Sequence, residues 1–162
     1  MDAPSLAQLD KFAPRGDDVA AVHVAKEALR LYAPTRRVYR EFETDEGEIY
    51  EFAADIEEAH RDGRRFGEDV LIFRPERWLQ IDGGRDDPSH LLSFGGPPFV
   101  CPARQRQTSG ELPFGVSIVA MLVGALLEQT KDEWEVEGTL PEEGVPLVTD
   151  RKAYSDLMLV RK

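Results

Sequence analysis

The stretch Phe94-Gly95-Gly96-Pro97-Pro98-Phe99-Val100-Cys101-Pro102-Ala103 sets the single cysteine of this chain in a loop of glycines and prolines. An apolar run, residues 114–127, follows it. Glycine lacks a side chain and proline fixes φ, so such a loop lets the backbone approach a flat ligand and aim amide N–H groups at a sulfur. Amide donors and the N-terminus of a following helix favour the thiolate, the form of cysteine that binds metal. With no second sulfur to pair with, Cys101 is a candidate metal ligand rather than half of a disulfide. Both fold and function turn on what Cys101 holds.

Working outward, 162 residues suffice for one ordinary domain with a core, and hardly for two. The expected division is a loose lead-in over residues 1–16 and a single domain over 17–162. Composition is that of a soluble globular protein, 41% hydrophobic and 31% charged. A formal net charge of -11 argues against nucleic acid and against anionic membrane surfaces, both of which repel an acidic protein. One cysteine excludes an internal disulfide framework and makes a reducing, cytoplasmic location the expectation. Residues 1–12 have neither the basic nor the apolar segment of a signal peptide. The run 114–127 contains Gly115 and Gly124 and falls short of the roughly 20 residues that span a bilayer. It reads as a buried helix.

The spacing of Val19, Val22, Ala25 and Leu29 predicts a helix over 19–31, capped by Asp17 or Asp18 and stopped by Pro34. Residues 35–42 have strand character, and 49–52 return as a hairpin partner after Gly47. Residues 55–65 read as a short helix or an irregular passage, and 80–89 as an exposed loop. Near the C-terminus, two apolar pieces, 145–148 and 157–160, suggest a β-hairpin. The acidic runs 45–51 and 133–143 read as solvated surface.

Three groups of residues carry candidate chemistry. Glu27 and Arg30, three apart on the first helix, share a face and can pair. Alone they make an ordinary surface ion pair; joined by Arg77 of the Pro75-Glu76-Arg77 turn they form a network that pins loop to helix. Arg36, Arg37 and Arg40 present guanidinium groups suited to bidentate binding of carboxylates, or else a solvated strand face. The third group is the cysteine loop, and a thiolate is the axial ligand in one large class of haem proteins. Of the histidines, His23 reads as a boundary residue and His60 as a partner of a local backbone group. His90 lacks the third group that a Cys–His nucleophile pair with Cys101 needs. A zinc site needs about four closely spaced ligands, which this chain does not show.

The order of these features resembles the C-terminal part of cytochrome P-450, the haem-thiolate monooxygenases. Glu27 and Arg30 match the Glu-x-x-Arg of the family's K helix. Phe73, Pro75, Glu76, Arg77 and Trp78 match its meander motif, and His60-Arg61-Asp62 resembles the stretch before it. Phe94 matches the phenylalanine that opens the haem loop, and Cys101 falls at the axial thiolate. Residues 28–40 and 92–103 look most like fungal members. The resemblance covers residue 19 to the C-terminus, about the last third of a family member. It implies an α+β, mainly α, fold: the proximal half of a cytochrome P-450, with K-type helix, small β-hairpins, meander, cysteine loop, apolar L-type helix and C-terminal hairpin. It implies haem b as cofactor, Cys101 as its metal ligand, Phe94, Arg40, Phe99 and Ala103 as cofactor-binding residues, and Glu27, Arg30 and Arg77 as a structural triad. Arg40 stands where many members place an arginine for a haem propionate.

The chain departs from the family's Phe-x-x-Gly-x-Arg-x-Cys-x-Gly pattern at Pro97, Phe99 and Ala103. Phe99 removes a cationic propionate contact, which leaves more of that work to Arg40. Residues 105–113 look inserted between the loop and its helix. There is no Ala/Gly-Gly-x-x-Thr segment, the family's proton-delivery motif, and no residues for the substrate roof. Two readings stay open. In one the chain is a haem-thiolate oxidoreductase, a monooxygenase or peroxygenase acting on a small organic molecule with a redox partner. In the other it is a non-catalytic or partner-dependent haem-binding remnant, its distal face covered by another chain or a second copy of itself.

Overall fold

A computed structural model describes residues 19–81, 90–96, 99–104, 113–130, 133–140, 142, 145, 148 and 154–162. Helix α1 runs Ala21–Leu31 and is strongly amphipathic, burying Val22, Ala25 and Leu29. Its N-cap is Ala20, whose amide donates to His23 Nδ1 at 2.9 Å. The expected cap at Asp17 or Asp18 lies outside the described residues. The helix begins two residues later than the sequence predicts because His23, a buried residue rather than a boundary one, satisfies the first amide. Tyr32, whose amide still reaches the Ala28 carbonyl at 2.8 Å, closes it ahead of Pro34.

Strands β1 (Arg37–Glu43) and β2 (Ile49–Asp55) form the expected antiparallel hairpin, with Arg40 opposite Phe52. Two short helices follow, α2 (Ile56–His60) and α3 (Gly63–Phe66). Each starts on an aspartate: Asp55 accepts from the Glu58 amide and Asp62 from the Arg64 amide, both at 2.9 Å. The passage 55–65 is therefore two helices rather than one. Helix α4 (Arg77–Ile81) grows out of the Pro75 turn. A 3-10 turn, Leu92–Phe94, then leads into a small antiparallel pair, β3 (Gly95–Gly96) and β4 (Phe99–Val100). Residues 82–89, 97 and 98 lie outside the description, as do 105–112, which hold most of the suspected insertion.

After Cys101 comes a 3-10 turn, Pro102–Arg104, and helix α5 (Phe114–Thr130) starts well downstream. The sequence reading places the N-terminus of this helix behind the thiol; in the structure a 3-10 turn occupies that position. Helix α5 packs on α1 through Val116, Ser117, Ala120 and Gly124, a face of small side chains that permits close approach. It is not a fully buried helix: Leu122, Leu126 and Leu127 are 61%, 51% and 57% exposed. Only one side of this apolar cylinder meets α1. The core is a cluster of Val22, Ala25 and Leu29 with Phe66, Trp78, Leu91, Val116 and Ala120.

The C-terminal hairpin exists with a different partner. Strand β6 (Met158–Arg161) pairs with β5 (Trp134–Glu137), taken from a run that reads as acidic surface; residues 146 and 147 of the partner piece expected from sequence lie outside the described residues. Trp134 and Val136 alternate with Glu135 and Glu137, a period of two hidden inside a charge-rich stretch. Architecture is thus mixed helix and small antiparallel sheets, an α+β arrangement. Among the described residues no helix is long and apolar enough to cross a membrane.

Gly115 lets α5 meet the cysteine loop. A Cβ there would overlap the Phe94 ring, with Cζ at 2.6 Å, and touch the Ala103 Cβ at 3.3 Å. Alanine raises helix propensity by about 0.5–1 kcal/mol, but displacing a packed ring costs about 1–3 kcal/mol. Gly115→Ala is therefore expected to lower stability by about 1 kcal/mol in urea unfolding; a raised midpoint would contradict this packing.

Candidate functional site

Helix α1 turns Glu27 and Arg30 inward on successive turns, and both are buried to 1% exposure or less. The pair is bidentate, Arg30 Nε to Glu27 Oε2 at 3.0 Å and Nη2 to Oε1 at 2.8 Å. Arg77, at the start of α4, donates Nε to the same Oε1 at 2.9 Å. Trp78 Nε1 donates to Oε2 at 3.0 Å, and the Arg74 amide to Oε1 at 3.0 Å. One carboxylate thus collects donors from α1, from the turn before α4 and from α4 itself. An exposed ion pair, the plainer reading of Glu27 and Arg30, is excluded by their burial.

Arg77 uses every N–H it has. Beyond Glu27, Nη1 reaches the Phe66 carbonyl at 2.6 Å and Asp69 Oδ1 at 3.1 Å, while Nη2 reaches the carbonyls of Asp69 at 3.0 Å and Ile72 at 3.1 Å. Asp69 is the carboxylate that sequence reasoning missed. Sitting between Arg77 and Arg74, 2.7 Å from the latter, it gives the cluster a second negative charge against the guanidinium groups. Burial alone would raise the Glu27 pKa; the hydrogen bond and charge of Arg30, the Arg74 amide and the Arg77 charge outweigh it and hold the carboxyl below its ordinary value.

His60 joins this cluster to the cysteine loop. Arg30 Nη1 donates to the His60 carbonyl at 2.8 Å, and His60 Nδ1 lies 3.1 Å from the Arg30 carbonyl. Its Nε2 accepts from the Leu92 amide at 2.9 Å, which places the ring proton on Nδ1. The backbone groups it satisfies are distant in sequence, not local. Burial pushes the His60 pKa down to about 4; the hydrogen bond to Arg30 opposes this, and the charges of Arg30 and Arg65 reinforce it. Ser93 Oγ adds a second tie, donating to the Leu29 carbonyl at 2.8 Å.

From Leu92 the chain enters the loop that carries Cys101. Gly95, with φ of 74°, takes a turn that favours glycine. The Cys101 amide donates to the Phe94 carbonyl at 2.9 Å, and the Cys101 carbonyl accepts from the Arg104 amide at 2.9 Å. Arg104 Nη1 also donates to the Gly95 carbonyl. These bonds close the loop at its base and leave Cys101 exposed. Phe94 and Ala103 meet at Gly115, so these two predicted residues sit together under the loop. Phe99 lies in β4, opposite Gly96. Arg40 stands on a separate element, the β1–β2 hairpin, where its Nη1 donates to the Tyr39 carbonyl at 2.7 Å. Of the neighbouring arginines, Arg37 pairs with Asp55 at 2.7 Å and Arg36 lies 3.7 Å from Glu57. Those two serve the hairpin and α2.

A lone sulfur is a poor cage for a bare metal ion, and among the described residues no three His, Cys, Asp or Glu side chains gather into one. It suits a metal whose other ligands arrive with a cofactor. At Gly96 a Cβ would meet no atom nearer than Arg104 Nη1 at 3.8 Å, and Val100 is exposed beside the thiol, so the described part of the loop leaves room for a flat group against its backbone.

No family model matches this chain. Part of it is similar to the cytochrome P450 monooxygenase eriA of Hericium erinaceus, at 32% identity over 97 residues, 59% of this chain. The match spans 16% of that protein's length.

Two outcomes follow from the cluster. Glu27→Ala strands two buried guanidinium groups and should cost about 3–5 kcal/mol in denaturant unfolding; a loss below 1 kcal/mol would contradict the burial described. Acid should act on His60 first. Its pKa falls from 6.5 unfolded to about 4 folded, so the unfolded chain gains a proton that the folded chain refuses. Stability is complete above the unfolded value and declines, by about 3 kcal/mol, as pH falls from 6.5 toward 4. Unfolding midpoints measured across that window, with His60→Gln flattening the decline, check this.

Proposed function

We propose that this chain forms the thiolate-bearing side of a haem site, with Cys101 as the axial ligand of the iron and oxidation of a small organic molecule as the chemistry served. The observation that carries the reading is the exposed Cys101 thiol, held on a glycine loop closed by the Phe94 carbonyl and by Arg104. The buried Glu27–Arg30–Arg77 cluster upstream and the partial likeness to a fungal cytochrome P450 support it. Haem b, when bound, supplies an iron centre whose electron density the thiolate raises, favouring O–O cleavage.

The residues have distinct parts in this scheme. Cys101 donates sulfur; Phe94 fixes its backbone through one hydrogen bond and, with Ala103, rests on α5 at Gly115. Arg40 would pair with a propionate of the haem, a guanidinium–carboxylate contact that Phe99 cannot make. Glu27, Arg30 and Arg77 act as scaffold and touch no reacting atom. A second reading, in which the haem is held only when another polypeptide completes the site, is favoured by apolar surface left open: Leu122, Leu126 and Leu127 on α5, and Tyr39, Phe42, Ile49, Tyr50 and Phe52 on the hairpin.

The test is reconstitution with haem, reduction and addition of carbon monoxide. The reading expects a red-shifted Soret band of thiolate type that disappears in Cys101→Ala; a chain that stays colourless, or an unchanged band in the variant, contradicts it. Turnover with peroxide or with a reductase separates the active reading from the completed-site reading, which expects turnover only with a partner present.

A further inference from the structure

We infer that His60 is the positioning residue of the cysteine loop, the side chain that fixes where the Cys101 segment sits on helix α1. Its bearing on iron rests on the reading above; the hydrogen bonding itself does not.

Three elements meet at this ring. His60 ends α2, and its carbonyl and Nδ1 form a reciprocal pair with Arg30: Nη1 of Arg30 to the His60 carbonyl at 2.8 Å, His60 Nδ1 to the Arg30 carbonyl at 3.1 Å. The arginine so engaged is the one clamped on Glu27. Nε2 faces the other way and receives the Leu92 amide at 2.9 Å. Leu92 opens the 3-10 turn whose last residue, Phe94, accepts the Cys101 amide. A path of hydrogen bonds thus runs from Glu27 through Arg30 and His60 to Leu92, and through one short turn to Cys101.

The imidazole suits this place. It is fully buried, with the Phe66 ring edge-on at 6.4 Å, and it offers a donor and an acceptor at opposite sides of a rigid ring. An apolar replacement leaves the Leu92 amide without an acceptor, and the loop can recover one only by moving. Ser93 gives the same turn a second anchor on α1, so loss of His60 shifts the loop without releasing it. A glutamine keeps an acceptor near Nε2 and should restore part of the contact.

The unsubstituted, haem-free chain gives the first readout. Nitrogen NMR of the ring should show the Nδ1–H tautomer and a scalar coupling across the hydrogen bond between Nε2 and the Leu92 amide. An Nε2–H tautomer, or no coupling, overturns the inference whether or not any variant folds. The second readout is the haem-loaded, carbon monoxide form. In His60→Leu the thiolate-type Soret band should lose about tenfold in proportion to total bound haem, the range typical of groups that orient a metal ligand, and His60→Gln should recover much of it. Equal bands in all three chains overturn the inference. If the NMR coupling is present and no chain binds haem, the haem assignment fails and the positioning role of His60 stands.

Discussion

One buried carboxylate organises this structure. Glu27 has no exposure to solvent, and both its oxygens are taken by N–H groups from Arg30, Arg74, Arg77 and Trp78. Removing a carboxylate from water is expensive, and only dense hydrogen bonding with opposite charge offsets the cost. The two sides depend on each other: Arg30, the Arg74 amide and Arg77 favour the ionised acid, and the acid compensates the buried guanidinium groups. Because the donors come from α1, the turn at Arg74 and α4, satisfying Glu27 fixes those pieces relative to one another. The apolar cluster of Phe66, Trp78 and Leu91 then closes over them.

From that centre, order spreads toward the cysteine loop by specific contacts rather than by bulk packing. The loop itself has little core of its own, two residues in each strand and a 3-10 turn at either end. Its placement depends on what it borrows: the Leu29 carbonyl through Ser93, His60 through Leu92, and Gly115 of α5 beneath the Phe94 ring. Such a loop holds its thiol outward while the Phe94, Gly95 and Cys101 carbonyls accept hydrogen bonds at its base.

Local rules made part of this readable from sequence. The apolar spacing of α1 and the i,i+3 relation of Glu27 and Arg30 are properties of one helix, and the β1–β2 hairpin announced itself by aromatic and β-branched residues either side of Gly47. Arg77 came into view through a motif, since nothing local says that a turn residue 50 positions away will reach Glu27. Asp69 and the bonds of His60 were illegible for the same reason: each role is set by a partner distant in sequence, and a single aspartate or histidine carries no periodic signal. The C-terminal hairpin was legible in one strand, 157–160, and not in the strand that pairs with it. The short apolar pieces looked alike, and the alternation in Trp134–Glu137 was masked by its glutamates. Helix α5 misled by composition, since an apolar run signals burial but not which of its faces finds a neighbour.

Glu27, His60 and the cysteine loop are expected to form one cooperative unit. Native-state hydrogen exchange tests it through two amides, Arg74, which donates to Glu27, and Leu92, which donates to His60. Both are expected to exchange with the same opening free energy, close to that of global unfolding. A Leu92 amide exchanging orders of magnitude faster than Arg74 would contradict it, and would leave the cysteine loop a separate, weakly attached segment.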